Sequence, residues 1–461
     1  MLIKCGTKLQ VQLHRSLLTD PVQIVKNDRN IKIGDGQRDE EPIAPFRYLS
    51  RLPKLPDTMT SAPECAISFD HNSHGVFYAG QHFTGTVDID LPKAKKVKGI
   101  SLKVTGLASV LWTEYHGTGA TIAFQAREDF LKHTMDLVRS ETDEPIMMEP
   151  GRQVYKFALQ LPSNLPTSFE GDYGYIRYTV RVLFERPWKF DQSYKIAFTV
   201  VNTLNLNTVS PPLNLPVVQE HTKHFYCGPC RSKPLTINVM IPMTGYVPGQ
   251  FLLVQVDISN GSNKHIAEVK LKLRRRVRYS STTPYEQTRT VYNTLAKFQC
   301  NGVDAKRSAA FERRFLVPSE PPTRSDTIIR LEYFVEVTAK VTGMAYSPEI
   351  RIPITIGTVP LMNITQKQQR ASIVEAHMTT ATSMPHKLFH GSLQSLIIPH
   401  TFEKSAGRID VNIQDDDECP SLGTVPFSPR YPMYHFDTDN KLVQQSAVLP
   451  EKNDKKPTAD R

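Results

Sequence analysis

Apolar and polar residues alternate along several short segments of the chain. The apolar residues recur with a period of two at Phe83, Val87, Ile89 and Leu91, and again at Ile176, Tyr178, Val180 and Val182. Such alternation is typical of strands with one buried face, and Gly, Pro, Asn and Asp separate the segments. One stretch, 127–140 (REDFLKHTMDLVRS), allows a helix on only fair apolar spacing. The pattern predicts an all-β fold of antiparallel sandwiches.

Two stretches of the chain repeat each other. At an offset of 169 residues Gly80 falls on Gly249, Gln81 falls on Gln250, and the VDI triplet at 87–89 falls on the one at 256–258. A further match, at an offset of 155, pairs Ile176, Val180 and Val182 with Leu331, Val335 and Val337. Repeats this far apart indicate duplicated domains rather than a short-period solenoid.

The duplication predicts two tandem immunoglobulin-like β-sandwiches. A boundary falls at SPPLNLP, because paired prolines cannot continue a central strand. We expect the sandwiches to occupy 63–216 and 217–361. Polar, Pro-broken sequence on either side predicts a disordered N-terminal extension at 1–62 and a disordered tail at 362–461.

Composition and charge restrict the classes of partner. The 461 residues carry a formal net charge of +10, which attracts phosphate, acidic peptides or anionic lipid without choosing among them. Six irregularly spaced cysteines argue against a disulfide scaffold. No apolar run reaches the roughly 18 residues of a membrane helix, and the first residues lack the apolar core of a secretory signal. We therefore expect a cytosolic protein.

Positive charge is concentrated in two runs. The first consists of Lys93, Lys95, Lys96 and Lys98. In the second, alternation places on one strand face Lys270, Lys272, Arg274, Arg276 and Arg278, and Arg275 breaks the order. Like charges in one row repel, so an anionic partner would stabilise them: phosphorylated receptor tails, acidic lipid headgroups, or the acidic run 415–418 of the chain's own tail. The alternative is an ordinary solvated face whose charges pair with neighbouring carboxylates.

The segment CGPC at 227–230 admits three interpretations. In a dithiol redox enzyme the first thiol lies at a helix N-terminus, whereas here a proline-containing strand segment follows. A zinc site could use His221, His224, Cys227 and Cys230, although four ligands in one short stretch would give the metal little support. The third interpretation is a linker whose cysteines pack as small apolar side chains.

Known catalytic and nucleic-acid motifs are not found in the sequence. It has no nucleophile elbow, P-loop or HExxH motif, and no basic helix or aromatic-studded RNA-binding sheet. We expect neither an enzyme nor a cofactor-binding protein, and no nucleic-acid partner.

Several separate segments, in order, resemble the α-arrestins, the arrestin domain-containing proteins. They are FYAGQHFTGTVDIDL, KVKGISLKVTGLASVLW, GDYGYIRYTVRVLFERPWKFD, CGPCRSKPLTINVMIPMTGYVPGQ and LEYFVEVTAKV with EIRIPITIG. The resemblance covers about 63–361 and leaves both ends out. It implies a scaffold of two arrestin domains that binds cytosolic segments of membrane proteins, acts in ubiquitination, endocytosis and endosomal sorting, and is recruited to the plasma membrane and endosomes.

The resemblance also implies recruitment of HECT-type ubiquitin ligases through Pro-Pro-x-Tyr motifs, which are extended ligands of WW domains. This sequence has no such motif. The nearest tail candidate consists of Pro429, Tyr431, Pro432 and Tyr434. A degenerate contact and recruitment through another protein both stay open, as do two alternatives: a ligase-independent sorting-coat subunit of the same fold, and a CxxC redox or zinc-binding protein.

Overall fold

The computed structural model describes residues 64–362 except 71, 73, 118, 143, 228, 229 and 344–346, together with tail residues 399, 401–405, 421–424, 427–437, 440 and 442. Every helix-or-strand element within these ranges is a β-strand, which confirms the all-β prediction. The extension predicted at 1–62 lies outside the described residues.

The strands fall into three groups along the chain. The first group is β1 (Glu64–Phe69), β2 (Val76–Tyr78), β3 (His82–Leu91), β4 (Lys95–Val97), β5 (Gly99–His116), β6 (Ala120–Arg139), β7 (Ile146–Met148), β8 (Gly151–Gln160), β9 (Phe169–Gly171), β10 (Gly174–Glu185) and β11 (Gln192–Val201). The second is β12 (Val217–Lys223), β13 (Tyr226–Cys227), β14 (Cys230–Arg231), β15 (Leu235–Ile241), β16 (Gly245–Tyr246), β17 (Phe251–Asn260), β18 (Ile266–Ser281), β19 (Gln287–Val303), β20 (Arg307–Leu316), β21 (Ile329–Val341) and β22 (Glu349–Ile356). The tail contributes β23 (Thr401–Lys404), β24 (Ser421–Thr424) and β25 (Arg430–Met433).

Each half is a sandwich of two sheets, and the strand orders of the halves correspond. In the first half β1-β3-β8 faces β2-β11-β10-β5-β6, and in the second β12-β15-β17-β20 faces β16-β22-β21-β18-β19. The edge strands β2 and β16 both pair in parallel, with β11 and β22 respectively. The repeat seen in the sequence is therefore a repeat of topology, and the inward apolar residues of both sheets form the core.

The repeated Gly-Gln pair forms the same turn in both halves. Gly80 and Gly249 have φ values of +83° and +91°, a conformation that favours glycine. The Gln81 side-chain oxygen accepts a hydrogen bond from the Tyr78 amide at 2.8 Å, and Gln250 accepts one from the Val247 amide at 3.2 Å. The pair is repeated because each turn needs both the backbone freedom and the side-chain acceptor.

A buried tyrosine anchors a loop at equivalent positions. The Tyr178 hydroxyl donates to the Pro166 carbonyl oxygen at 2.6 Å, and the Tyr333 hydroxyl donates to the Pro321 carbonyl oxygen at 2.7 Å. Both rings are buried in β10 and β21. A tyrosine that hydrogen-bonds back to the preceding backbone is a recurrent device of immunoglobulin-like sandwiches.

Two sequence expectations differ from the structure. Residues 127–140 do not form a helix, because this stretch belongs to β6 and pairs with β5 along nearly its whole length. Most of the predicted disordered tail at 362–461 lies outside the described residues, but within the described part β24 pairs with β11 and β23 pairs with β25. Tertiary pairing overrides weak local preference in both places.

Candidate binding surfaces

The basic row, defined as Lys270, Lys272, Arg274, Arg276 and Arg278, lies on the outer face of β18. Its members are partly exposed, whereas their neighbours along the strand are buried. The predicted alternation is thus the one observed. The row runs along β18, which lies between β21 and the edge strand β19.

Each member of the basic row has a carboxylate partner. Lys272 and Arg274 donate to Glu336 at 3.0 and 2.8 Å. Arg276 and Arg278 share Glu332, at 2.5 and 2.7 Å, and Lys270 donates to Glu268 at 2.6 Å. Burial works to raise the pKa of Glu336, but its bonds to Lys272 and Arg274 outweigh burial and leave that pKa below its ordinary value. Every member of the row is therefore paired with a neighbouring carboxylate, as the alternative of an ordinary solvated face predicts.

The face as a whole keeps an excess of positive charge. Residues paired across β18, β19, β21 and β22 share one side of the sheet. The cations on that side are Lys270, Lys272, Arg274, Arg276, Arg278, Lys297, Arg330, Lys340 and Arg351, and the carboxylates are Glu268, Glu332, Glu336 and Glu349. Nine cations less four carboxylates leave +5 on these strands. Such a field attracts anions even where individual charges are paired.

Arg275 does not belong to the outer face, because it occupies an inward position of β18. It is 6% exposed, and its guanidinium donates to the Glu320 carboxylate at 2.6 Å. Burial works to lower the pKa of Arg275, but the attraction of Glu320 prevails and the pKa is raised. A buried arginine stays tolerable only with such a partner. The sequence signalled this residue only as a break in the row.

The cluster around Arg275 joins the two sandwiches and the tail. The Arg275 guanidinium lies over the ring of Phe169 in the first sandwich, 5.5 Å from its centroid. The Tyr333 hydroxyl lies 3.4 Å from the Glu320 carboxylate. The buried Tyr431 of the tail is close enough to interact electrostatically with both Arg275 and Glu320. Sequence reasoning missed this convergence, since its members are far apart in the chain.

The tail segment 427–437 packs on both sandwiches. Tyr431 and Tyr434 are each 1% exposed. The Tyr431 hydroxyl donates to the Ser168 carbonyl oxygen at 2.9 Å, and the Tyr434 hydroxyl donates to the Thr358 carbonyl oxygen. Burial raises the pKa of both phenols above their ordinary value. The two tyrosines of the candidate ligase motif are thus inaccessible while the segment is docked.

Backbone contacts fix the same segment. The Tyr434 amide donates to the Pro248 carbonyl oxygen at 3.1 Å, and the Arg430 amide donates to the Thr199 hydroxyl at 3.2 Å. Asn440 exchanges two hydrogen bonds with the backbone of Phe251, at 2.8 and 2.6 Å. The segment therefore binds as an extended peptide at the junction of the sandwiches. The acidic run 415–418 lies outside the described residues.

The CGPC segment lies between two-residue strands, since β13 and β14 pair as a hairpin at 226–231. No helix follows it, so the helix N-terminus of a dithiol redox centre is missing at this point. His221 lies on β12, and the His224 ring nitrogen Nδ1 lies 3.4 Å from the Ser232 carbonyl oxygen. Within the described part of the chain no three His, Cys, Asp or Glu side chains group as a metal site. The side chains of Cys227 and Cys230 lie outside that part, so the zinc candidates stay untested.

No described residue belongs to a helix long and apolar enough to cross a membrane.

Comparison with protein families matches both halves. Residues 65–207 match the model of the arrestin (or S-antigen) N-terminal domain, and residues 231–361 match that of the arrestin (or S-antigen) C-terminal domain. Arrestin domain-containing protein 17 of Caenorhabditis elegans is 28% identical over 422 residues, which cover 79% of this chain and 97% of the relative.

Vertebrate relatives match over a smaller share of the chain. Arrestin domain-containing protein 4 of Mus musculus is 28% identical over 301 residues, covering 63% of this chain and 71% of the relative. Arrestin domain-containing protein 1 of Rattus norvegicus is 27% identical over 290 residues, covering 62% of each chain. With the duplicated sandwich topology and both arrestin domains in order, the chain belongs to the α-arrestin family of arrestin domain-containing proteins.

Proposed function

We propose that this chain is a non-catalytic adaptor that binds cytosolic segments of membrane proteins and links them to ubiquitination, endocytosis and endosomal sorting. Its place of action would be the cytoplasm, with recruitment to the plasma membrane and endosomes. Family membership supports the adaptor class. The observation that carries the binding proposal is the +5 charge excess on the outer face of the second sandwich.

The basic row would select acidic or phosphorylated cargo segments. A phosphate or carboxylate that approaches the row meets forked Arg donors as well as Lys ammonium groups. Because Glu332 and Glu336 already engage the row, an incoming anion must compete with them or add to them. Affinity would then depend on several anionic residues acting together, and it would weaken with salt.

Access to a ligase would depend on the tail. Tyr431 and Tyr434 face the body, so a WW domain could bind the 429–434 segment only after it leaves the sandwiches. Recruitment through another protein needs no such release. Both routes are part of the proposal, because the chain lacks the Pro-Pro-x-Tyr motif.

Proximity labelling in cells tests the adaptor. The full chain should label membrane proteins together with endosomal factors or ubiquitin ligases. A variant with Lys270→Gln, Lys272→Gln and Arg278→Gln should label membrane proteins several-fold less. The matched control removes three charges from the first sandwich with Lys103→Gln, Lys132→Gln and Lys156→Gln, of which Lys103 is the repeat equivalent of Lys272. If the full chain labels none of these classes, the adaptor proposal fails; equal losses in both variants would remove the basic row from it.

A further inference from the structure

The loop 186–191, between β10 and β11, presents two aromatic rings to solvent. Trp188 is fully exposed and Phe190 is 80% exposed. Single exposed apolar side chains are ordinary, but an exposed Trp beside an exposed Phe in one six-residue loop is not. Trp188 also has a φ of +58°, a conformation that side chains rarely adopt and that persists only where its surroundings impose it.

Hydrogen bonds hold this loop in shape. The Arg186 amide donates to the Asp191 carboxylate at 3.0 Å, and the Arg186 Nε donates to the Phe190 carbonyl oxygen at 2.7 Å. The same arginine's Nη2 also donates to that carbonyl. These hydrogen bonds hold the loop that carries both rings in one conformation. Less conformational entropy is therefore lost when the rings bind a partner.

The first basic run of the sequence lies against this loop. The Lys98 amide donates to the Glu185 carbonyl oxygen at 2.7 Å, where β10 ends. The Lys95 ammonium donates to the Gln192 side-chain oxygen at 3.0 Å, where β11 begins. β4 pairs with β7, which places the exposed Met147 opposite Lys96. The sequence run 93–98 and the aromatic loop thus form one surface.

The surface is strongly positive. Segments 93–98 and 185–192 together carry the cations Lys93, Lys95, Lys96, Lys98, Arg186 and Lys189, and the carboxylates Glu185 and Asp191, a difference of six less two. Burial, followed by the repulsion of Arg186 and Lys189, lowers the pKa of Lys95 to about 8. The cations are therefore close enough to repel one another, and an anionic surface would relieve that repulsion.

This combination matches the chemistry of a bilayer surface. Trp is enriched at the membrane–water boundary, where its ring lies among the headgroups, and nearby Lys and Arg are attracted to anionic lipid. Two rings and a methionine offer far less apolar area than a stable protein–protein interface buries. The charges favour a lipid surface over a neutral apolar partner.

We propose that the loop 186–191 and the segment 93–98 form a membrane-docking tip, which inserts Trp188 and Phe190 into the headgroup region of an anionic bilayer. The site is separate from the basic row, on the other sandwich, and binds lipid without cargo. It would hold the adaptor on the membrane independently of what the second sandwich recognises.

The chain itself contains the reporter for a test. It has two Trp residues, and Trp112 is buried against Phe124 with its rings stacked 5.4 Å apart. Purified full chain is mixed with vesicles of phosphatidylcholine alone or with phosphatidylglycerol added. We expect a blue shift of Trp fluorescence and quenching by bromolipid with the anionic vesicles, both absent in Trp188→Phe. No change in emission on anionic vesicles overturns the proposal.

Co-sedimentation gives the matched comparison. Trp188→Ala with Phe190→Ala should weaken partition into anionic vesicles by roughly tenfold or more. Neutralising Lys96 and Lys189 with Gln should have a similar effect, since each cation near such a surface contributes about fivefold. Tyr115→Ala removes an aromatic ring that is 73% exposed at the other end of β5 and should leave partition unchanged.

The proposal is overturned if the tip variants and the Tyr115 variant lose vesicle partition equally. It is also overturned if the wild-type chain partitions equally into neutral and anionic vesicles. All variants concern exposed side chains, and a thermal unfolding curve checks that each is folded. Cargo labelling by the tip variants in detergent extract separates this proposal from the adaptor proposal, because loss of lipid binding alone leaves cargo capture intact.

Discussion

The hydroxyl of Tyr431 donates a hydrogen bond to the carbonyl oxygen of Ser168, across 263 residues of chain. Ser168 is itself fully buried, and its own hydroxyl accepts from the Val200 amide at 2.9 Å. The tail thereby completes a backbone group of the first sandwich that solvent cannot reach. This relationship makes the docked tail part of the folded protein's hydrogen bonding.

Tyr431→Phe should loosen the tail without unfolding the sandwiches. The substitution keeps the ring and leaves the Ser168 carbonyl without this donor, at a cost of about 1–3 kcal/mol. Hydrogen exchange of the 430–434 amides should become faster. Tyr226→Phe, at an exposed position of the hairpin, is the control and should change nothing. Unchanged exchange in Tyr431→Phe would show that the hydroxyl contributes no stability to docking.

Gly249→Ala should displace the tail through direct collision. A Cβ at this position would lie 1.8 Å from the Tyr434 carbonyl oxygen. Gly80→Ala is the matched control, because its φ is nearly the same but its Cβ would meet Ser163 at an ordinary 3.6 Å. Both variants carry backbone strain of roughly 1–3 kcal/mol. Limited trypsin cleavage after Arg430 should accelerate in Gly249→Ala only; equal acceleration in both would contradict the collision.

Arg275→Met should strongly destabilise the second sandwich. Removing one partner of a buried ion pair leaves the Glu320 carboxylate uncompensated, which costs about 3–5 kcal/mol. Arg278→Met on the same strand removes a partly exposed charge and should cost about 0–1 kcal/mol. Urea unfolding measures both. Adding Glu320→Gln to Arg275→Met should recover part of the loss; no recovery would mean that the pair is not the source of the effect.

Vesicle binding by the docking tip should weaken as pH rises from about 7 to about 9.5. The pKa of Lys95 is about 8, so the free tip loses one positive charge above that value. One charge fewer should weaken partition into phosphatidylglycerol vesicles by about fivefold. The charged groups facing this ammonium are Arg186 and Lys189.

Lys95→Arg is the control for that titration. A guanidinium stays charged over this range, so the vesicle partition of the variant should not change with pH. Stability runs in the opposite direction. The folded chain binds this proton less tightly than the unfolded chain does, so Lys95 adds stability as pH rises from about 8 towards 10.5. Weaker binding at pH 9 therefore cannot be ascribed to this group's effect on folding.

The sequence predicts the fold well wherever period and repetition agree. Gly80 and Gly249 align because the same turn imposes the same φ, and the basic row alternates because β18 has one buried face. For the stretch 127–140 the sequence allows a helix, because the spacing of its Leu and Met residues partly fits one. The structure is a strand, because this stretch pairs with β5, which lies elsewhere in the sequence.

The sites were less accessible to sequence reasoning. In the sequence, Arg275 is only a break in the alternation of the basic row. Its partner Glu320 is 45 residues away, and neither residue type predicts burial. The sequence offers Tyr431 and Tyr434 as part of a candidate ligase motif, and it does not predict their burial, because their hydrogen-bond acceptors lie far away in the chain. Trp188 lies in a segment typical of the family, but the sequence does not show that its ring is exposed to solvent.

The pairing of β24 with β11 has a consequence for experiments that shorten the chain. Together β2 and β24 cover successive parts of one border of the first sandwich, at 199–201 and 193–195. An uncovered border of this kind offers unpaired amides and carbonyls to another molecule. Removing the tail would expose the 193–195 part and also take Tyr434 out of its apolar contacts with Leu206 and Val247. A chain cut after Leu361 would thus be prone to self-association, and any new partner that it captures must first be distinguished from a second copy of itself.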